Sequence, residues 1–197
     1  MNALPMFPLG SVLFPHMPLA LRVFEERYIV MLSRILQDEP AEFGVVLIER
    51  GQEVGGGEQR FGVGTVARIV ELEASDGFIG LVAEGERRIR VERWLDDDPH
   101  PLAEVAELEP IVWDDDLLTS LVAAEDTVRG ALARLGDANR WPPDVELTDE
   151  PVARAWQLAG IAPLGPLDQV ELLASATMAD LLDGIVERTR AITDIQP

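Results

Sequence analysis

The side chains able to do chemistry in this sequence are carboxylates and arginines, with neither lysine nor cysteine among its 197 residues. Lacking lysine, the chain cannot build a Ser-Lys dyad, a phosphate-gripping P-loop or a Schiff base. Lacking cysteine, it has no disulfide, no thiolate metal ligand and no cysteine nucleophile, a composition that suits a reducing cytosol. The two histidines are His16, in a predicted turn, and His100, between Pro99 and Pro101. Neither stands in a Gly-x-Ser-x-Gly or His-Glu-x-x-His setting. A triad or a glycosidase carboxylate pair could in principle assemble in space, but nothing marks one. The runs Asp96–Asp98 and Asp114–Asp116 lack the glycine at the sixth position and the distant glutamate of a calcium loop. The first reads as a solvated turn before Pro99, and the second as the capped, negatively charged start of a helix. Glu53-Val-Gly-Gly-Gly-Glu58 has the glycines of a phosphate cradle but acids on both sides and no lysine after it, so it reads as a flexible connection. No metal and no cofactor are expected.

What remains is binding. Strand alternation from Arg87 places Ile89 and Val91 on one side and Arg88, Arg90, Glu92 and Trp94 on the other. A basic ridge ending in an aromatic suits an acidic or aromatic peptide, through hydrogen bonds and cation–π contact. The competing reading is internal pairing of these arginines with Asp96, Asp97 and Asp98. Met6 and Met17 are adaptable contacts, and Phe61 and Phe78 aromatic ones, although each type is also common in plain core. Phe7, Phe14, Phe24 and Tyr28 are assigned to the core.

The elements that must position these residues begin with a proline-punctuated amino terminus. Pro5, Pro8, Pro15 and Pro18 cut the apolar residues into short bursts, which read as short strands with sharp turns at Gly10-Ser11 and Pro15-His16. Leu19, Leu21 and Val23 alternate as a half-buried strand. From Phe24-Glu25-Glu26 the period becomes helical, with Tyr28, Met31, Leu32, Ile35 and Leu36 on one face. Pro40 ends that helix. Strands follow at Phe43–Ile48 and Phe61–Leu72, with Gly62 and Gly64 marking a bend or bulge. Ser75-Asp76-Gly77 turns into Phe78–Ala83, Gly85-Glu86 turns again into Arg87–Leu95, and Leu102–Ile111 completes the β-rich part.

From Asp116 onward the period stays helical. Leu117, Leu118, Leu121, Val122, Val128, Leu132 and Leu135 form a stripe ended by Gly136. A polar linker over 137–147 precedes three helices: Pro151 to Ala159 with Gly160 after it, Pro166 to Leu173, and Met178 to about Ile192. Thr177 and Asp180 form a capping box at the start of the last. The reading is an α+β chain in which a mixed, barrel-like β domain with one helix (residues 1–112) precedes an acidic four-helix bundle (residues 113–197).

The net charge of −20 argues against nucleic acid and against anionic membrane surfaces. It is lopsided: residues 1–95 carry 14 acids and 10 arginines, and residues 96–197 carry 22 acids and 6 arginines. Residues 1–21 are uncharged and apolar-rich, yet they lack a basic start, and their four prolines would break a spanning helix. A cytoplasmic location is expected.

Several ordered motifs carry a family resemblance. The opening Phe7-Pro-Leu-Gly-Ser-Val-Leu-Phe-Pro-x-Met-Pro-Leu-x-Leu-x-Val-Phe-Glu-x-Arg-Tyr28 is followed by Phe43-Gly-Val-Val-Leu-Ile48, Glu53-Val-Gly-Gly56 and Val63-Gly-Thr-Val-Ala-Arg-Ile69. Asp76-Gly77, Gly85-x-Arg-Arg-Ile-Arg-Val91 and Asp168-Gln-Val-Glu-Leu-Leu173 complete the set. Together they resemble the Lon protease N-terminal (substrate-binding) domain family over nearly the whole chain. Departures are His16 where relatives usually carry Gly, Glu26 where Pro is common, and Asp180 where Arg is usual. His tolerates the left-handed region better than most residues, so the turn at 16 is expected to survive.

The resemblance implies a PUA-like fold for the β part. It also implies a non-enzymatic role: capture of unfolded or degron-bearing polypeptide, or docking between partners such as a protease or chaperone. The ATPase and protease modules of full Lon proteases are not expected in this chain. The peptide-contact candidates are Met6, Met17, Phe61, Phe78, Arg88, Arg90 and Trp94. A small-molecule binder or cryptic hydrolase with a pocket at the β/α junction is the alternative. RNA binding, known for PUA-like modules, is disfavoured by the acidic surface.

Overall fold

A computed structural model describes residues 3–37, 39–48, 60–136 and 139–195. The chain divides into two compact units, Met1–Glu109 and Pro110–Pro197. The glycine-rich 53–58 connection lies outside the described residues.

The first unit is a six-stranded mixed sheet with one helix. Its strands are β1 (Leu4–Leu9), β2 (Pro18–Val23), β3 (Glu42–Ile48), β4 (Arg60–Ser75), β5 (Phe78–Trp94) and β6 (Leu102–Glu107), with α1 (Glu26–Ile35) between β2 and β3. The hydrogen-bonded order is β2-β5-β4-β3-β1-β6, and a further β5–β6 pairing closes β5, β4, β3, β1 and β6 into a ring, with β2 attached to the outside of β5. β1 lies parallel to β3, and the remaining pairs are antiparallel. Inside the ring, Met6, Val46, Val66, Ile89 and Ala103 form a buried cluster, with Leu4, Val91, Trp94 and Val105 packed against it. Phe7 stacks on Tyr28 of α1 with ring centroids 3.9 Å apart. Tyr28, Met31, Leu32 and Ile35 are the buried face of that helix, as its 3.6-residue period requires.

The amino-terminal turns form as expected. His16 takes φ 60, the left-handed region, and donates its backbone N–H to the Gly85 carbonyl at 2.7 Å. Asp76-Gly77 is a two-residue turn between the paired residues Ser75 and Phe78, with Gly77 at φ 88. The pairing of β3 with β4 shifts register between Val46 and Ile48, opposite Gly62.

Two expectations fail here. Gly85-Glu86 is not a turn, because β5 runs unbroken from Phe78 to Trp94. Ala67 pairs with Gly85 and Thr65 with Arg88, so β5 carries an extra residue there, and the chain bulges where the sequence suggested reversal. Phe24, assigned to the core, is 70% exposed. Val23 beside it is buried at the end of β2, and strand alternation turns Phe24 outward before the helix begins.

The second unit contains α2 (Leu118–Leu135), α3 (Pro151–Ile161), α4 (Pro166–Leu173) and α5 (Met178–Ile195), preceded by a short 3-10 turn at Asp115–Leu117. The Asp114 side chain accepts from the Asp116 N–H and caps that turn. Gly136 ends α2 at φ 59, and the Thr177–Asp180 capping box is present, each residue accepting from the other's backbone N–H at 3.1 Å. α2 buries Leu121, Ala124, Val128, Ala131 and Leu132, while Leu118 and Val122 stay exposed. Small alanines therefore do part of the packing that the expected stripe gave to larger residues. α3 continues through Gly160 to Ile161 rather than stopping at Ala159. Glu125 on α2 receives hydrogen bonds or ion-pair contacts from Arg129 at 2.8 Å and Arg154 at 2.7 Å, tying α2 to α3.

Candidate functional site

The seven residues singled out in the sequence do not form one site. Met6 is fully buried in the ring cluster, and Met17 is 8% exposed. Arg88 is also buried, and its guanidinium donates to the Glu109 carbonyl at 2.9 Å. That burial pulls the Arg88 guanidinium below its ordinary value. Arg90 is exposed and pairs with Val63, while Phe61 lies in the stretch of β4 where the pairing with β3 shifts register. Phe78 begins β5, 12 residues before Arg90, or about 40 Å along an extended strand.

The expected ridge of Arg88, Arg90, Glu92 and Trp94 is broken. Val91 pairs with Val105 but Arg93 with Glu104, so Glu92 is an extra residue that rotates the strand. Trp94 then pairs with Ala103 and packs against the buried cluster beside Val91. Of the neighbouring acids, Asp98 is engaged by Arg34 of α1.

Three arginines on this unit tie the sheet together. Arg87 holds Glu42 of β3 by two hydrogen bonds of 3.1 and 2.7 Å and Glu107 of β6 by one of 2.6 Å. The Glu42 hydrogen bond, against the opposing effect of burial, raises the Arg87 value above the usual arginine range. Arg93 pairs with Glu104, and the Arg93 hydrogen bond lowers the Glu104 carboxyl. Arg68 contacts both Glu84 and Glu86.

A groove of about 880 Å³ lies where β2, β5 and β4 run side by side. Its layout follows from register. Val82 faces Ala20 on β2 and Glu71 on β4, Gly80 faces Arg22 and Glu73, and Phe78 faces Ser75. Directly paired residues share a face, so Val82, Gly80 and Phe78 make a floor along β5. Leu81, between them, points to the other side and is buried. The β2 wall carries Arg22, whose guanidinium carbon lies 5.1 Å from the Phe78 ring centroid. The β4 wall carries Glu71 and Glu73, both exposed and without an ion pair among the described residues.

Both flanking strands have an edge without a strand partner among the described residues. β2 ends the strand order and pairs with β5. The pairing of β4 with β3 stops at Arg68, with one further bond from the Ile69 N–H to the Ala41 carbonyl. Beyond it, Val70 and Leu72 are 45% and 42% exposed. An apolar floor between unpaired strand edges can accept extended chain. Of the seven residues singled out in the sequence, Phe78 lines this groove, whereas Arg22, Glu71, Glu73 and Gly80 were not singled out. A lone glycine inside an otherwise regular strand was the available signal.

No group of three or more His, Asp or Glu side chains able to hold a metal ion occurs among the described residues. No described helix is long and apolar enough to cross a membrane.

Comparison with known proteins places this geometry in context. Residues 3–189 match the family model described as the ATP-dependent protease La (LON) substrate-binding domain. Lon protease of Escherichia coli strain K12 is 26% identical over 198 aligned positions, covering 98% of this chain and 25% of that protein. The chain thus spans about a quarter of the length of that relative. Among solved structures, a Lon N-terminal domain protein from Xanthomonas campestris has a TM-score of 0.66 at 26% identity, covering 100% of both chains. The N-terminal domain of the Mycobacterium avium complex Lon protease shares the fold, with a TM-score of 0.67 at 17% identity over 96% of this chain and 98% of that one.

Proposed function

The chain belongs to the ATP-dependent protease La (LON) substrate-binding domain family, and from that premise we propose that it is a non-enzymatic polypeptide-binding module. It holds unfolded or degron-bearing chains in an extended form on the outer face of β2, β5 and β4. The observation that carries this reading is the groove itself, an apolar floor of Val82, Gly80 and Phe78 between two strands whose outer edges have no described strand partner. A client strand added to one of these edges pairs through main-chain groups whatever its sequence, and its side chains on the outer face reach over that strand toward the apolar floor.

The module acts as an adaptor that presents clients to a protease or chaperone in the cytoplasm. The composition supports an adaptor over a catalyst, since lysine and cysteine nucleophiles are both missing from the sequence. The strongly acidic second half keeps loaded complexes soluble and repels nucleic acid. The closed hydrogen-bonding of five of the six strands supports a barrel-like description of the first unit, and the helix packing supports a bundle for the second.

The experiment is a calorimetric titration with a permanently unfolded model protein, reduced and carboxymethylated, beside its folded native form. Saturable binding of the unfolded form alone is expected. No heat of binding at millimolar client, or equal binding of both forms, would overturn the proposal.

A further inference from the structure

The two walls of the groove differ in charge, and this difference specifies its ligand. Arg22, on the β2 wall, lies over the Phe78 ring. On the β4 wall, Glu71 and Glu73 point to the same face with no cation to meet them among the described residues. Nearby acids are treated differently: Glu42 and Glu107 are held by Arg87, Glu84 and Glu86 by Arg68, and Glu104 by Arg93. Arg68, Arg87 and Arg93 are thus committed elsewhere, and the two carboxylates beside the apolar floor stay available.

Gly80 provides the space. It sits between Arg22 and Glu73 in register, so the row that crosses the groove has no side chain at its centre. A Cβ at this position would meet nothing closer than the Glu73 carbonyl oxygen at 3.7 Å and the Phe78 ring at 3.9 Å. The notch is therefore open, bounded by the ring of Phe78 on one side and by Val82 on the other.

Resting on the polypeptide-binding reading above, we infer that the groove selects extended segments in which an aromatic or large aliphatic residue lies within two positions of lysine or arginine. The apolar side chain fills the notch over Gly80, against Phe78 and Val82. The cation reaches Glu71 and Glu73 on the β4 wall. Ion pairs at a partly desolvated rim give selectivity and speed of association more than bulk affinity, so the preference weakens as salt is raised.

The test uses fluorescence anisotropy with two labelled ten-residue peptides, identical except that arginines flanking a central tryptophan in one are aspartates in the other. The full-length chain and two variants are compared. The arginine peptide is expected to bind about 5-fold tighter or more at low salt. Glu71→Gln combined with Glu73→Gln should abolish that difference. Gly80→Val, whose Cβ makes only ordinary contacts with the Glu73 carbonyl and the Phe78 ring and whose methyls fill the notch, should weaken the arginine peptide about 10-fold while the thermal midpoint is unchanged. Equal binding of the two peptides, or full binding by a folded Gly80→Val chain, would overturn the inference. Continued binding of the unfolded model protein by all three forms would overturn the groove as the client's place while leaving polypeptide binding itself standing. Failure of the unmodified chain to bind either peptide or the unfolded protein would remove both.

Discussion

The carbonyl of Phe14 rests directly against the backbone of Gly85, so that a Cβ on Gly85 would overlap it. Two backbone hydrogen bonds fix the contact, from the His16 N–H to the Gly85 carbonyl at 2.7 Å and from the Gly85 N–H to the Met17 carbonyl at 3.0 Å. Thr65 adds a third tie by donating its hydroxyl to the Leu13 carbonyl at 2.6 Å. The proline-rich loop is thereby laid against the middle of the longest strand.

Gly85→Ala should therefore be costly, on the order of 3 kcal/mol, because backbone on both sides must move. Gly80→Ala, five residues earlier on the same strand, should change stability by less than about 0.5 kcal/mol, since its Cβ finds ordinary contacts. Urea unfolding of the two variants measures the contrast. Equal destabilisation would mean that close approach of the loop is not what demands glycine at 85.

His16 gives a milder version of the same effect. Its φ of 60 is tolerable for histidine but strained for a β-branched residue. His16→Val should cost about 1–2 kcal/mol. His16→Gly should stay within about 1 kcal/mol of the parent. Thermal melts read both.

How much of this was legible in the sequence depends on how local each cause is. The Thr177–Asp180 capping box, the Asp76-Gly77 turn and the face of α1 were readable because each is settled within a few residues. Bulges are not local: whether Gly85-Glu86 turns or bulges depends on how β4 pairs opposite it. The same holds for Glu92, whose extra residue sends Trp94 to the core and dissolves the ridge expected with Arg88 and Arg90. The groove was illegible for a related reason. Glu73 and Gly80 face each other across the Asp76-Gly77 hairpin, but Arg22 is far from both in the chain, and the pairing of β2 with β5 alone brings it into their row.

Met6 separates packing from contact. It is fully buried among Val46, Val66, Ile89 and Ala103, and a side chain at Gly44 would collide with its thioether. Met6→Ala should cost about 3 kcal/mol through lost burial and a cavity. At temperatures where the variant remains folded, its affinity for unfolded client should match the parent's. A selective loss of affinity without loss of stability would return Met6 to the contact surface.

In the helical unit, Glu125 governs a pH response. Burial pushes its carboxyl up, but hydrogen bonds from Arg129 and Arg154 outweigh that, and the folded-state value lies below the ordinary 4.5. A depressed carboxylate contributes stability that is present above its unfolded value and lost as pH falls through the folded one. Melts between pH 7 and pH 3, a window set around the ordinary carboxylate value, should show this loss in the parent. Glu125→Gln should be destabilised by about 1–2 kcal/mol at neutral pH and should show a flatter acid limb. An unchanged acid limb would exclude Glu125 as a contributor.

From β5, Arg87 reaches Glu42 on β3, a strand that does not pair with its own, and Glu107 on the neighbouring β6. Arg87→Met keeps the length and removes the fork, and should cost about 2 kcal/mol because Glu42, with 11% of its side chain exposed, loses its partner. A double-mutant cycle with Glu42→Gln should return a coupling energy of about 1 kcal/mol or more. Strict additivity would show the pair to be incidental.

The central claim, that an extended polypeptide lies along β2, β5 and β4, is tested most directly by amide hydrogen exchange of the full chain with and without saturating unfolded client. The account predicts new protection at the outer edges, over residues 18–23 and 70–75, with β1 and β3 unchanged. Protection confined to the helices α2–α5, or none anywhere at saturation, would contradict it.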